Sequence, residues 1–411
     1  MNSSASKLVR GFNIALRGAT LLSKFLLVIF LAKLLEPREL GLFGLIAATV
    51  GYAIYLLGFE FYSFAVREML ARPQSQWISM IRDQVVFYSF TYALGLPLLA
   101  LIFFENLLPW NVVWWVFVLI FLEHMAQELN RLLVAAGLPN YAGFVLFVRS
   151  GAWCWVVLAL MWIYPDSRQI EVVFIGWILG AFVACAMGLN WVRKLKANSR
   201  LSSIDWHWVS RGLRVAAPLL LASVAIRGIF TLDRYWVEHI SGLDALGPYV
   251  LFVGMATAVI SFLDAGVIDF AYPKLVVAAG NPDKTVFRDG MKRFAWQIFL
   301  TTAVLCLLCW AISIPVLQWL GRPEYSNQRA LLGWLLLALG FYGMGMIAHV
   351  GLFALHKDIH IVGSQVAGLV IFILTAFILS STFGVVAIPW AMCVAFGFIL
   401  AWKSVAFALV S

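Results

Sequence analysis

Twelve apolar runs, each about twenty residues long, follow one another along this chain and limit what it can fold into. They lie near 11–33, 40–64, 84–105, 111–134, 141–163, 172–192, 212–235, 246–270, 294–319, 329–355, 360–382 and 384–408. A helix rises about 1.5 Å per residue, so each run can cross a ~30 Å hydrocarbon layer with its backbone hydrogen bonds satisfied internally. With 63% hydrophobic and only 12% charged residues, a soluble globule of 411 residues would lack polar surface. The fold class is therefore an all-α polytopic membrane protein of about twelve transmembrane helices.

Basic residues set the orientation. If the N-terminus is inside, most of the 29 Lys and Arg fall on inner segments and inner span ends, among them Lys403 near the end of span 12. Both termini are then cytoplasmic, and the cytoplasmic (inner) membrane is the expected location. The net charge of +9 describes one membrane face, and no nucleic acid is needed to explain it. Lys7 and Arg10 precede span 1 as in a signal peptide. No A-x-A site follows, so the span is expected to be retained. All five cysteines lie inside spans, where neither disulfides nor zinc are expected. No G-x-x-x-x-G-K-[ST] occurs, so the chain does not hydrolyse ATP, and no cofactor is expected.

Span 1 carries cations that lipid alone would not tolerate. Asn13, Arg17, Thr20 and Lys24 fall at i, i+4, i+7 and i+11, one narrow stripe of a helix. A cation costs about 2.5–3.5 kcal/mol at the bilayer centre, so Arg17 and Lys24 must face something other than lipid. Lys33 lies near the span end and reads as a snorkelling anchor.

The chain also repeats itself. Leu40–Ala65 lies over Leu246–Ala271 at a constant offset of 206, bringing together Leu40-Gly41 with Leu246-Gly247 and Phe64-Ala65 with Phe270-Ala271. Span 7 carries its own stripe, Ser223, Arg227, Thr231 and Arg234. Six spans separate the copies, so they share one orientation and their pseudo-two-fold axis runs along the membrane normal. The expected organisation is an N-terminal six-helix bundle at 1–192, a basic cytoplasmic linker at 193–211 and a C-terminal six-helix bundle at 212–411, around a central cavity. Trp110, Trp114 and Trp115 read as an interfacial aromatic belt.

The stretches "LLEPRELGLFGLIAATV", "TLDRYWVEHISGLDALGPYVLFVGMA" and "GRPEYSNQRALLGWLLL" carry a family likeness. The chain resembles the polysaccharide-transporter branch of the multidrug/oligosaccharidyl-lipid/polysaccharide exporter superfamily, with Wzx-type O-antigen flippases nearest. The resemblance implies alternating access and an undecaprenyl-pyrophosphate-linked oligosaccharide as substrate. Membrane lipid and other polysaccharide-assembly membrane proteins are the expected partners.

Two readings of the deep charges compete. In one, Asn13, Arg17, Thr20, Lys24, Arg149 and Arg227 line an anion-binding cavity, where Arg offers a bidentate grip to pyrophosphate. In the other, the cations pair internally with Glu60, Glu123 or Asp264. Those three acids are also the candidates for ion coupling, with His349 behind them. Glu128 and Arg131, at i and i+3, read as a simple ion pair. Pro218 is the candidate hinge. Rival functions are a small-molecule or drug exporter of the same superfamily, whose cavity would be acidic or aromatic, and a membrane glycosyltransferase or polymerase. The enzyme needs acid/base groups on an outer loop, and the longest expected outer connection, 235–246, offers Glu238, His239 and Asp244. A scaffold without transport has no use for four deep cations, so the chain is read as a transporter and not an enzyme.

Overall fold

A computed structural model describes residues 3–195 and 203–410, with side chains from Ala15 onward. Among the described residues every regular element is helical. The chain order is α1 (Ser3–Leu34), α2 (Pro37–Gly58), α3 (Tyr62–Leu70), α4 (Trp77–Phe104), α5 (Val113–Ala135), α6 (Pro139–Phe147), α7 (Trp153–Ile163) and α8 (Ile170–Val192). Then come α9 (Trp206–Leu263), α10 (Asp269–Ala279), α11 (Lys284–Leu320), α12 (Pro323–Ser326), α13 (Arg329–Ala354), α14 (Asp358–Phe383) and α15 (Ala387–Val410).

Among the described residues, ten helical stretches are long and apolar enough to cross a membrane. Two of them, the 74-residue Trp206–Ala279 and the 53-residue Asp358–Val410, are each long enough for two crossings. Both are broken by a glycine in the left-handed region, Gly242 (φ 76°) and Gly384 (φ 57°), which brings the crossings to the expected twelve. Local chemistry sets other helix ends. Asp283 caps α11, its carboxylate accepting from the Thr285 backbone N–H at 2.9 Å and from the Thr285 hydroxyl at 2.6 Å. Those bonds hold the exposed carboxyl below its usual range. Gly321 closes the same helix with φ 65°.

One expectation is corrected. Residues 235–246 form no loop: α9 runs through Glu238, His239 and Asp244, interrupted only at Gly242. The stretch read as a connection because it falls between the apolar runs 212–235 and 246–270, yet two helical ends meeting at one glycine need no longer linker.

The chain forms two compact units. The first comprises Met1–Leu27 and Leu45–Val224, the second Val28–Gly44 and Ala225–Ser411. The boundaries fall inside α1, α2 and α9, and Pro218 lies exposed in α9 shortly before one of them.

Within the second unit, the start of α2 packs against α9 just beyond Gly242. A Cβ on Gly41 would approach the Leu243 carbonyl oxygen to under 3.0 Å, and a Cβ on Gly247 would do the same to the Pro37 carbonyl oxygen. At the offset of 206, Gly41 corresponds to Gly247 and Pro37 to Leu243, so each contact is the image of the other. Gly44 faces the Val250 side chain, its own counterpart. Residue i meeting j while j meets i is the signature of a two-fold axis, here an internal one.

The helix breaks repeat as well. After α2 the chain turns at Phe59 (φ 53°) and Glu60 (φ 54°). At the corresponding place in the second copy, a π-turn at Asp264–Ile268 separates α9 from α10.

Gly41→Ala and Gly247→Ala should destabilise the protein by similar amounts, about 1–3 kcal/mol each, because the new methyl meets backbone that cannot swing aside. Thermal unfolding of the two purified variants measures this, and a loss confined to one of them would contradict the axis.

Candidate functional site

Span 5 holds the first cationic centre. Its helix widens into a π-turn at Val148–Ala152, between α6 and α7, which places Arg149 toward α5. The Arg149 guanidinium clasps the Glu123 carboxylate, with Nε donating at 2.8 Å and a second bond from the terminal nitrogen. The Trp177 indole of α8 donates to the other carboxylate oxygen at 2.8 Å. Both Glu123 and Arg149 are buried. Trp153 donates to the Arg149 carbonyl at 3.0 Å and lies parallel to Trp177, walling the pair. Glu123 is thus committed to two partners, as the internal-pairing reading expects for this residue.

Lys24 stands beside this pair within electrostatic reach of Glu123, Arg149 and Cys154. It is nonetheless exposed. Its place is fixed by its neighbour: Ser23 donates to the Ala19 carbonyl at 2.7 Å and accepts from the Trp155 indole of α7 at 2.8 Å. Two basic side chains and one carboxylate meet at this corner. Arg17, two turns earlier on α1, is exposed too. Thr20, between them, is turned inward, and its hydroxyl bonds the Leu16 carbonyl at 2.8 Å. The stripe therefore presents Arg17 and Lys24 but not Thr20. The side chain of Asn13 lies outside the described residues.

A second polar cluster lies along the C-terminal half of α5. Glu128 and Arg131 pair as expected from their spacing. Gln84 and Tyr88 of α4 also donate to Glu128, at 2.9 and 2.8 Å, and the Arg131 guanidinium lies 3.3 Å from the centre of the Tyr62 ring. His124 meets the Tyr92 hydroxyl at 2.9 Å through Nδ1. Gln84, Tyr88, Ser89, Tyr92, His124 and Glu128 edge an otherwise apolar cavity of about 460 Å³ between α4, α5 and α8. Glu60, buried at the break after α2, accepts from Ser223 at 2.7 Å.

The stripe of span 7 divides into separate tasks. Ser223 serves Glu60. Thr231 bonds the Arg227 carbonyl at 3.0 Å. Arg234 pairs with the fully buried Asp233, whose other oxygen accepts from Tyr249 at 3.0 Å. Arg227 is half-buried and shares the surroundings of Tyr342 with Asp264, the first residue of the π-turn. Asp269 is the charged neighbour of Asp264.

Lys403, read as one of the basic residues at inner span ends, is buried in the second unit, its Nζ 3.2 Å from His349 Nδ1 on α13. There α13 and α14 pack against α15. Nothing in the sequence linked residues 349 and 403. Among the described residues, no group of three or more His, Cys, Asp or Glu could hold a metal ion.

No family model and no curated protein sequence matches this chain. Solved structures do. An inward-facing multidrug resistance MATE family transporter of the MOP superfamily superposes with a TM-score of 0.74 at 13% identity, covering 97% of this chain and 98% of the other. The MATE multidrug transporter DinF-BH, solved in complex with a ligand, gives 0.67 at 13% identity over 98% and 95%. A mutant of the Vibrio cholerae MATE transporter VcmN gives 0.59 at 14% over 99% and 97%. The fold is therefore the two-lobed, MATE-like transporter fold, and the chain is a multi-pass membrane protein.

Arg149→Ala should strand the buried Glu123 carboxylate and lower stability by about 3–5 kcal/mol. Adding Glu123→Gln should recover most of the loss, as read by thermal unfolding of single and double variants. An Arg149 that served substrate alone would leave the unfolding temperature unchanged in the single variant.

Proposed function

We propose that this protein is a secondary transporter that works by alternating access and carries an anionic, lipid-linked substrate, an undecaprenyl-pyrophosphate oligosaccharide such as an O-antigen unit. The observation that carries this reading is Lys24 beside the Arg149–Glu123 pair, two basic side chains against one carboxylate within a membrane span. Arg17 stands exposed two turns earlier on α1. A cation kept there at a cost of about 2.5–3.5 kcal/mol suits recognition of a phosphate group. The similar structures are transporters, which favours transport over catalysis. For ion coupling we favour Asp264 over Glu123, since Glu123 is already held by Arg149 and Trp177. Asp264 stands half-buried at a π-turn, a backbone feature frequent at functional sites.

Export of small molecules is the second reading, and it has direct support: the similar structures are described as multidrug transporters, one of them in complex with a ligand. The two readings differ in the sign of the charge they require. Purified protein in neutral detergent should be thermally stabilised by undecaprenyl pyrophosphate, and Lys24→Gln should remove most of that stabilisation while leaving the ligand-free unfolding temperature unchanged. Stabilisation by a cationic rhodamine dye with none by the pyrophosphate lipid would transfer the assignment to drug export.

A further inference from the structure

Two clefts flank the first turns of α11. One, of about 530 Å³, is lined by Lys284, Arg288 and Lys292 together with apolar side chains that include Met291, Ile347 and Phe407. The other, of about 540 Å³, is lined by Lys274 and Arg293 beside Val267, Phe270 and Phe294. Lys284, Arg288 and Lys292 follow at i, i+4 and i+8, so one helix face brings all three to the first cleft. All five cations are exposed, and none has a hydrogen bond or ion pair among the described residues. The nearby acids do not offset them. Asp283 is engaged by Thr285 in the helix cap, and Asp289 lines neither cleft.

Helix length leaves room outside the hydrocarbon. At 37 residues α11 is about 55 Å long, well beyond a ~30 Å hydrocarbon layer. Its basic first turns can therefore lie at headgroup level with the apolar remainder of the helix running inward. A cleft with cations at one end and an apolar wall running away from them matches a phosphate joined to an acyl chain.

We propose that the Lys284–Arg288–Lys292 cleft is a binding site for an anionic phospholipid, with the headgroup phosphate held by the three cations and an acyl chain laid along Met291 and Phe407. Lys274 and Arg293 on the opposite side of α11 add to the attraction without touching that lipid. Basic pockets between transmembrane helices bind anionic headgroups in this way. The proposal concerns binding alone and stands whether the transported substrate is a lipid-linked sugar or a small molecule.

Native mass spectrometry of the full chain in neutral detergent, with thermal unfolding in parallel, tests it. Phosphatidylglycerol should give retained adducts and raise the unfolding temperature; phosphatidylcholine should do neither. Each basic residue strengthens association with an anionic surface about fivefold, so Lys284→Gln/Arg288→Gln/Lys292→Gln should weaken phosphatidylglycerol binding on the order of a hundredfold. Ala295→Trp keeps every charge but fills the apolar wall, and it should also abolish retained adducts, which diffuse surface charge would not predict. Undiminished adducts in either variant would overturn the site. Equal stabilisation by inorganic pyrophosphate would identify a free-anion site and overturn the lipid assignment.

Discussion

The close approach of α2 to α9 sets the geometry on which the two repeats depend. Gly41 lies against the Leu243 carbonyl and Gly247 against the Pro37 carbonyl, with Gly44 and Val250 facing each other between them. Backbone meeting backbone leaves no flexible side chain to absorb an error, so within the second unit these positions hold the start of α2 against α9 more tightly than apolar packing could. Because the contact is its own image, one duplicated sequence supplies both of its sides. The offset of 206 visible in the residues is thus realised as a physical contact.

Charge inside the first unit is handled by the same economy. A π-turn rotates Arg149 to Glu123, Trp177 completes the carboxylate, and Ser23 locks α1 so that Lys24 stands alongside. A buried Arg–Glu pair is weak evidence for stability, since desolvation offsets much of the attraction. Its contribution is placement: it holds Arg149 and Glu123 fixed beside Lys24.

Much of this architecture was readable beforehand, and the limits follow from range. Span number, the repeat and the cationic helix depend on local composition and period, so Arg17, Lys24 and Gly41/Gly247 could be singled out. The Glu128–Arg131 pair, three residues apart on one helix, was equally accessible. Glu123 and Arg149 lie in different spans, and a single sequence supplied both residues without saying that they touch. His349 and Lys403 are farther apart still, and the burial of Lys403 depends on neighbouring helices. Thr20 obeyed the stripe by angle, yet a hydroxyl can satisfy itself on its own helix, which angle alone does not disclose. The stretch 235–246 falls between two apolar runs, and composition does not show that both helices continue to Gly242.

The two copies bend at one place by different means. After α2, Phe59 and Glu60 take left-handed conformations that cost side-chain-bearing residues about 1–3 kcal/mol each. In the second copy the bend is a π-turn, which keeps the backbone helical and only widens it. Duplication has therefore preserved where the backbone yields while letting the mechanics diverge. One copy turns through a corner of two side-chain-bearing residues at positive φ, the other through a widened coil. A molecule whose sequence repeats thus carries two joints of unlike construction, one made by backbone strain and the other by a wider turn.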